Sequence, residues 1–187
     1  IVTYTPHKNL FSDETLDSIH NLREELREVE SVDNVFTILD APLLKSSDKS
    51  FAEVINNIPN LEDPSIDREQ AKNELLNSPI FSELLISKDA GTTALLLSLT
   101  ENQKLNKLSR SRNVLRSKKS ELALSSEDEE TLKQVEKEYI SVRDALNEQR
   151  HLDIAIIRTI MKKYGGNGQL YLGGVPMITD DMVTYVR

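Results

Sequence analysis

The sequence predicts an α+β fold in which a split β-α-β arrangement (βαββαβ) carries an inserted antiparallel helical hairpin. Three observations predict it. The first forty residues run from a strand-like stretch through an amphipathic helical stretch to a second strand-like one. Two apolar runs flank a short Gly-containing turn near Gly91, the pattern of a β-hairpin. From Glu101 to Tyr164 the chain contains neither Gly nor Pro, long enough for two helices and little else.

Taken in order, Ile1–Thr5 reads as a strand closed by Pro6. Ser12 has the N-cap composition, with Asp13 and Glu14 where the helix dipole favours carboxylates. Leu16, Ile19, Leu22, Leu26 and Val29 recur at steps of three and four, one apolar stripe on a helix of about five turns. Ser31–Asn34 reads as a turn, and Val35–Leu39 as a buried strand parallel to the first. Residues 41–65 are irregular, with Pro42, Pro59 and Pro64 and a short helix expected over Phe51–Ile58. Asp67 and Gln70 form a capping-box pattern for a helix that ends at Leu76 before Asn77-Ser78-Pro79. Leu84–Ile86 and Thr92–Leu99 then make the β-hairpin around Ser87–Gly91.

Beyond Glu101 the first arm, Gln103–Ala123, carries Leu105, Leu108, Leu115 and Leu122 and is rich in Lys and Arg. Ser126 and Glu129 form a second capping-box pattern, so the chain reverses near Ser125. The second arm has a coiled-coil seam of Leu132, Val135, Tyr139, Val142 and Leu146, with acids concentrated at its start. Its apolar content rises from Leu152, and Lys162, Lys163 and Gly165 have the composition of a helix C-terminus. Leu170–Leu172 reads as the last strand. Gly173-Gly174 and Val175-Pro176 redirect the chain into a helix expected to start at Thr179. The domain division is therefore residues 1–100 with 151–187 for the α+β part, and 101–150 for the hairpin. In the split order, the first and last strands are antiparallel neighbours near the sheet centre, and the start of one emerges beside the end of the other. The chain opens without Met in an extended run and stops inside a helical stretch, as expected of a piece of a longer protein.

Composition removes several function classes. The 187 residues carry a formal charge of −8, no Cys and no Trp. Phosphate neutralisation needs clustered cations, so nucleic acid is not the expected partner. No apolar run approaches the roughly 20 residues of a spanning helix. Disulfides and thiolate metal sites are excluded.

Each candidate site in the sequence has a plainer structural role beside it. Gly165-Gly166-Asn167-Gly168 leads from helix to strand, the wrong dipole end for a phosphate loop, and Gly173-Gly174 lacks the Lys-Ser/Thr pair. Asp180 and Asp181, adjacent on a helix, do not face each other and read as first-turn acids behind Thr179. His7, His20 and His151 lack a second ligand at metal-site spacing. Ser46-Ser47-Asp48-Lys49 matches S-x-x-K without the companion motifs of acyl-transfer enzymes. The basic arm, Lys104–Lys119, could meet an anionic surface, against the plainer reading of a solvated flank paired with its acidic partner arm. No catalytic constellation, cofactor site or metal site emerges, so the chain is not read as an enzyme. Backbone freedom concentrates at Gly173 and Gly174 beside the rigid Pro176, a hinge or coupling element.

The tail LYLGGVPMITDDMVTYVR resembles a segment of resistance-nodulation-division (RND) superfamily exporters. The likeness is to the predicted-exporter branch related to the mycobacterial large membrane proteins (MMPL) and Patched-like proteins. VTYTPHKNLFSDETLDSIHNLREEL and VDNVFTILDAPLL resemble the segment after the first transmembrane helix of that family. SPIFSELLISKDAGTTALLLSL resembles its hairpin, and IAIIRTIMKKY the helix before the last strand. The matches are collinear over nearly the whole chain, while the coiled-coil arm resembles a variable insertion.

The resemblance implies a ferredoxin-like, porter-type periplasmic loop between transmembrane helices 1 and 2 of a proton-driven bacterial inner-membrane exporter, with lipids or other hydrophobic molecules as substrates. It implies as partners the second porter domain and the transmembrane helices of the same parent chain. The proton-relay acids of that family lie in transmembrane helices, so no Asp or Glu here takes that role. The hairpin offers an alternative function, a protein–protein interaction module, whose partner is another protein or a second copy.

Overall fold

The computed structural model describes residues 1–46, 58–121 and 125–185. They contain helices and one four-stranded antiparallel sheet, an α+β fold. The chain divides into two compact units, Ile1–Leu99 with Asp153–Arg187, and Thr100–Leu152. Of the helix expected over Phe51–Ile58, all but Ile58 lies outside the described residues.

In the first unit β1 (Val2–Pro6) alternates buried Val2 and Tyr4 with partly exposed Thr3 and Thr5. α1 (Asp13–Arg27) follows, and its apolar stripe buries Leu16, Ile19, Leu22 and Leu26. Ser12 occupies the N-cap position, but its hydroxyl donates to Asn9 O at 2.8 Å and caps no backbone N–H.

β2 (Val32–Phe36) starts and ends three residues before the expected strand. Its end is set by Asp40, whose Oδ2 accepts from Thr37 N at 2.8 Å and Thr37 Oγ1 at 2.9 Å. That turn removes Ile38 and Leu39 from the strand while leaving both buried.

α2 (Arg68–Leu76) begins as its capping pattern predicts, with the Asp67 side chain accepting from Gln70 N. Farther along this helix, Glu74 accepts from Leu44 N, Lys45 N and Ser46 Oγ.

The chain reverses around Ser87–Gly91 as expected, with Ser87 N donating to Thr92 O and Ala94 N to Leu85 O at 2.9 Å each and Thr93 Oγ1 to Leu85 O at 2.8 Å. Leu84–Ile86 does not extend into a strand, because Phe81 O draws in the N–H groups of Leu84, Leu85 and Ile86, and the pairing with β3 (Thr93–Leu99) stays a single antiparallel Ile86–Thr93 bridge.

The last strand is β4 (Gly168–Leu172), and the sheet order is β2-β3-β1-β4. β1 and β2 run in the same direction, both antiparallel to the intervening β3. β1 is internal, whereas β4 lies at the edge of the sheet and not near its centre. Val2 opposes Leu172 and Pro6 opposes Gly168. A Cβ on Gly168 would lie 2.5 Å from Thr5 O and 2.6 Å from Tyr4 Cε2, so only glycine lets the two backbones approach this closely.

Between Asn102 and Lys163 lie α3 (Gln103–Ser120) and α4 (Ser126–Lys163). Asn102 caps α3 through a bond from Leu105 N. The cap of α4 is Ser125, not Ser126: its Oγ accepts from Asp128 N at 3.1 Å and its carbonyl from Glu129 N. Among the described residues, Leu115 and Leu132 are the buried ones of the hairpin seam. Arg112, which occupies a seam position, places its guanidinium 3.8 Å from the centre of the Tyr139 ring, a cation–π contact. Lys104–Glu138, Arg116–Glu136 and Lys118–Asp128 pair the basic arm with the acidic one.

The last turns of α4 deliver Ile157, Ile160 and Met161 to the core of the first unit. Glu25 binds Lys163 and Tyr164 and so ties α1 to the end of α4. The Lys163 bond holds the Glu25 carboxyl below its usual range. Burial and the Glu25 bond push the Tyr164 hydroxyl up to about 12.

An ionic cluster centres on Arg23, which is only 3% exposed on the core side of α1. It donates to Glu24 Oε1 at 2.9 Å, Asp40 Oδ1 at 2.8 Å and Glu62 Oε1 at 2.7 Å. His20 Nδ1 lies 2.7 Å from the same Glu62 oxygen. Burial alone would raise the Glu62 carboxyl, but the bonds to Arg23 and His20 outweigh it and hold it low. Arg23→Met keeps the apolar stem and leaves three acids without their shared cation, and is expected to cost about 2–3 kcal/mol in urea unfolding at neutral pH. Because Glu25 and Glu62 are both depressed, their contribution is complete above the unfolded value of 4.5 and is lost as pH falls below it. Acid titration of the Arg23→Met variant should therefore show a smaller loss of stability below that pH than the parent chain.

Candidate functional site

The glycine pair singled out in the sequence lies where β4 leaves the sheet. Gly173 N donates to Ile1 O at 2.9 Å and Ile1 N donates to Gly173 O at 3.0 Å, so the β1–β4 ladder extends one pair beyond Val2 and Leu172. Gly174 has φ +121°, a conformation that side chains disfavour. Its carbonyl accepts from Ile178 N at 3.1 Å, which opens α5 (Val175–Tyr185).

The helix therefore starts four residues before the expected Thr179. Pro176 sits in its first turn, where a missing N–H costs nothing and a fixed φ suits the helix. A proline that reads in sequence as a separator from the helix is part of it.

The earlier start changes the role of the two acids. Asp180 and Asp181 lie beyond the first turn and belong to an ion-pair group with Arg158 of α4. Arg158 Nη2 meets Asp181 Oδ1 at 2.7 Å, and its Nη1 lies 4.0 Å from Asp180 Oδ2. These bonds fix the direction in which α5 leaves the sheet. Along α5, Val175, Ile178 and Met182 are 76%, 50% and 65% exposed, at the three- and four-residue steps of one helix face. From Gln169 through Ile178 no residue is charged. Ile1 and Tyr171, on the paired strands beside the junction, are also exposed. Exposed apolar surface thus collects where β1 begins and β4 ends. Among the described residues, no helix is long and apolar enough to cross a membrane.

A polar cleft of about 420 Å³ opens beside the other end of β1, lined by Tyr4, His7, Lys8, Glu14, Ser18 and Asn167 among others. Asn167 organises it: its carbonyl accepts from His7 N and Tyr4 Oη, and its Nδ2 donates to Ser18 Oγ at 3.1 Å. Lys8 is ion-paired with Glu14. Burial raises the Tyr4 hydroxyl, partly offset by its bond with Ser18.

The remaining sequence candidates are dispersed. His7 lines the cleft, His20 belongs to the Arg23 cluster, and His151 is exposed on α4. Among the described residues no group of three His, Asp or Glu is placed to hold a metal ion. Ser46 donates to Glu74 at 2.7 Å, and Ser47–Lys49 lie outside the described residues. Sequence reasoning missed Arg158, whose signal was a lone cation amid the apolar Ile154–Met161 run, and Arg23, a charge inside an otherwise apolar helical face.

No family model, curated protein or solved structure matches the chain.

The two glycines can be separated experimentally. A Cβ on Gly173 meets nothing within 4 Å, whereas Gly174 has positive φ. Gly174→Ala is expected to cost about 1–2 kcal/mol, and Gly173→Ala less than about 0.5 kcal/mol. Thermal unfolding of both variants checks this.

Proposed function

We propose that the α+β unit is a ferredoxin-like, porter-type extracytoplasmic domain of a proton-driven RND-type exporter of the MMPL and Patched-like branch. In this reading it faces the periplasm from the bacterial inner membrane, lies along the path of lipid or other hydrophobic substrates, and does no chemistry itself. The observation that carries the reading is the β1–β4–α5 junction. The start of β1 and the end of β4 are hydrogen-bonded neighbours, and α5 leaves that point with an exposed apolar face. Such a junction suits a domain borne on two adjacent membrane segments, with α5 at the bilayer surface. The strand order β2-β3-β1-β4 supports the ferredoxin-like assignment, since it is the order of a split β-α-β sheet. The collinear sequence resemblance supports the family.

Coupling follows from the same geometry. Motion of the membrane segments would reach the sheet directly through β1 and through the Gly173-Gly174-Pro176 turn. The Arg158–Asp181 bond carries the motion of α5 to α4. The sheet and α4 would then shift together and widen or narrow the substrate path.

Gly173→Ala in the full-length exporter is expected to reduce transport several-fold while leaving the unfolding temperature of the 187-residue chain unchanged; undiminished transport would remove the coupling role. The parent reading frame should also carry an apolar stretch of about 20 residues before Ile1 and another after Arg187. Flanks without them would remove the exporter reading altogether.

A further inference from the structure

α5 is packed the wrong way round for a helix in water. A surface helix normally turns its apolar stripe to the core and its charges outward. Here Val175, Ile178 and Met182 form an exposed stripe. Asp180 falls on the opposite side of the helix, at about 100° per residue, and its side chain is only 10% exposed. Arg158 accounts for the covered side: it lies 4.0 Å from Asp180 and bonds Asp181 at 2.7 Å. α5 is therefore held to α4 by charge and presents its apolar side outward. A covered ion pair adds little net stability beside what an apolar stripe gains on burial. The arrangement is favourable where the outward stripe meets apolar surroundings.

The strand ends continue this surface. Ile1 pairs with Gly173 and Thr3 with Tyr171, so Ile1 and Tyr171 are diagonal neighbours on one face of the β1–β4 pair, and both are exposed. A tyrosine joins an apolar ring to a polar tip, the combination that settles at headgroup level in a bilayer. From Tyr164 through Thr179 the chain has no charged residue, and α5 has two acids and neither Lys nor Arg. Anionic headgroups attract a protein surface through Lys and Arg. This surface offers neither, and the whole chain carries −8.

We propose that this surface rests on a bilayer of zwitterionic lipids, with α5 lying in the interface. Val175, Ile178 and Met182 point toward the acyl chains, Tyr171 sits among the headgroups, and the Arg158–Asp181 pair stays on the protein side. The inference rests on the exporter reading for the presence of a membrane, and adds to it the lipid chemistry the domain meets and the side chains that meet it. The surface spans the start of β1, the end of β4 and α5, which is the end of the unit that the exporter reading turns to the membrane.

The test is flotation of the 187-residue chain with lipid vesicles. The chain is used with its amino group acetylated, because that ammonium lies on this surface, bonded to Gly173 O, and acetylation removes the charge. Vesicles of phosphatidylcholine are expected to carry the chain, with no loss of binding as salt is raised. Vesicles that also contain phosphatidylglycerol should bind it several-fold more weakly. Ile178→Asp should weaken binding to phosphatidylcholine about tenfold. Val175→Asp should do the same, and it puts an acid in the first turn of α5, where the helix dipole favours one. Unchanged circular dichroism would establish that both variants fold. A chain that phosphatidylcholine vesicles leave behind overturns the proposal. So does tighter binding to the anionic vesicles, or binding that both variants retain in full. A lipid-free dimer in sedimentation velocity that Ile178→Asp dissolves would assign the surface to a second copy, and also overturns it. The exporter reading stands or falls separately: apolar flanks in the parent frame without vesicle binding remove the lipid contact alone.

Discussion

β1 is paired along both edges, to β3 and to β4, and the rest of the α+β unit takes its position from it. Val2 opposes Leu95 on one side and Leu172 on the other. Its buried residues, Val2 and Tyr4, face the stripe of α1 and the last turns of α4. The β4 side depends on Gly168, where a single added carbon would meet backbone on both Thr5 and Pro6. Because that approach is so close, β4 has no freedom to slide along β1, and the register is carried unchanged to Gly173. The placement of the candidate junction is a consequence of packing at the opposite end of the strand.

Ionic groups perform a second kind of positioning. The Arg23 cluster ties α1 to Asp40 and Glu62, two points on an otherwise irregular part of the chain. Glu74 gathers the backbone N–H groups of Leu44 and Lys45, and Glu25 joins α1 to the C-terminal end of α4. Each links segments that the hydrophobic core brings near one another but does not orient. Stabilisation from such pairs is modest where they are exposed, and their larger effect here is to select one arrangement of the connecting segments.

Much of this fold was legible in the sequence because local periodicity and core burial agree. The stripe of α1, the Asp67 cap and the hairpin seam are one-dimensional patterns that survive into three dimensions. The misplacements share a cause. At β2, at Ser125, at Thr179 and at Leu84–Ile86, local composition allowed two starts or two conformations, and the choice fell to hydrogen bonds made elsewhere. Asp40 ended β2, Ser125 offered a cap one residue earlier than Ser126, and Gly174 began α5 in advance of the apparent signal. The glycine pair of the candidate site was visible, since five of the six glycines lie between Gly165 and Gly174. Its partners were not visible. Arg158 is 23 residues from Asp181, and no spacing rule connects a residue on one helix with one on another across an intervening strand.

The outer edge of β2 has one more property. Arg27 reaches from α1 to donate to Val35 O at 3.0 Å. The neighbouring positions Asp33 and Asn34 are exposed, and the pairing with β3 is irregular between Val32 and Asn34. An uncovered strand edge is a template on which unrelated extended chains can stack and begin to aggregate. Here an acceptor is already occupied, a charge projects and the strand is kinked, so β2 is a poor seed for that process. A chain crowded beside many copies of itself would be protected at this edge by a guanidinium that Glu24 and Asp40 already hold in place for another purpose.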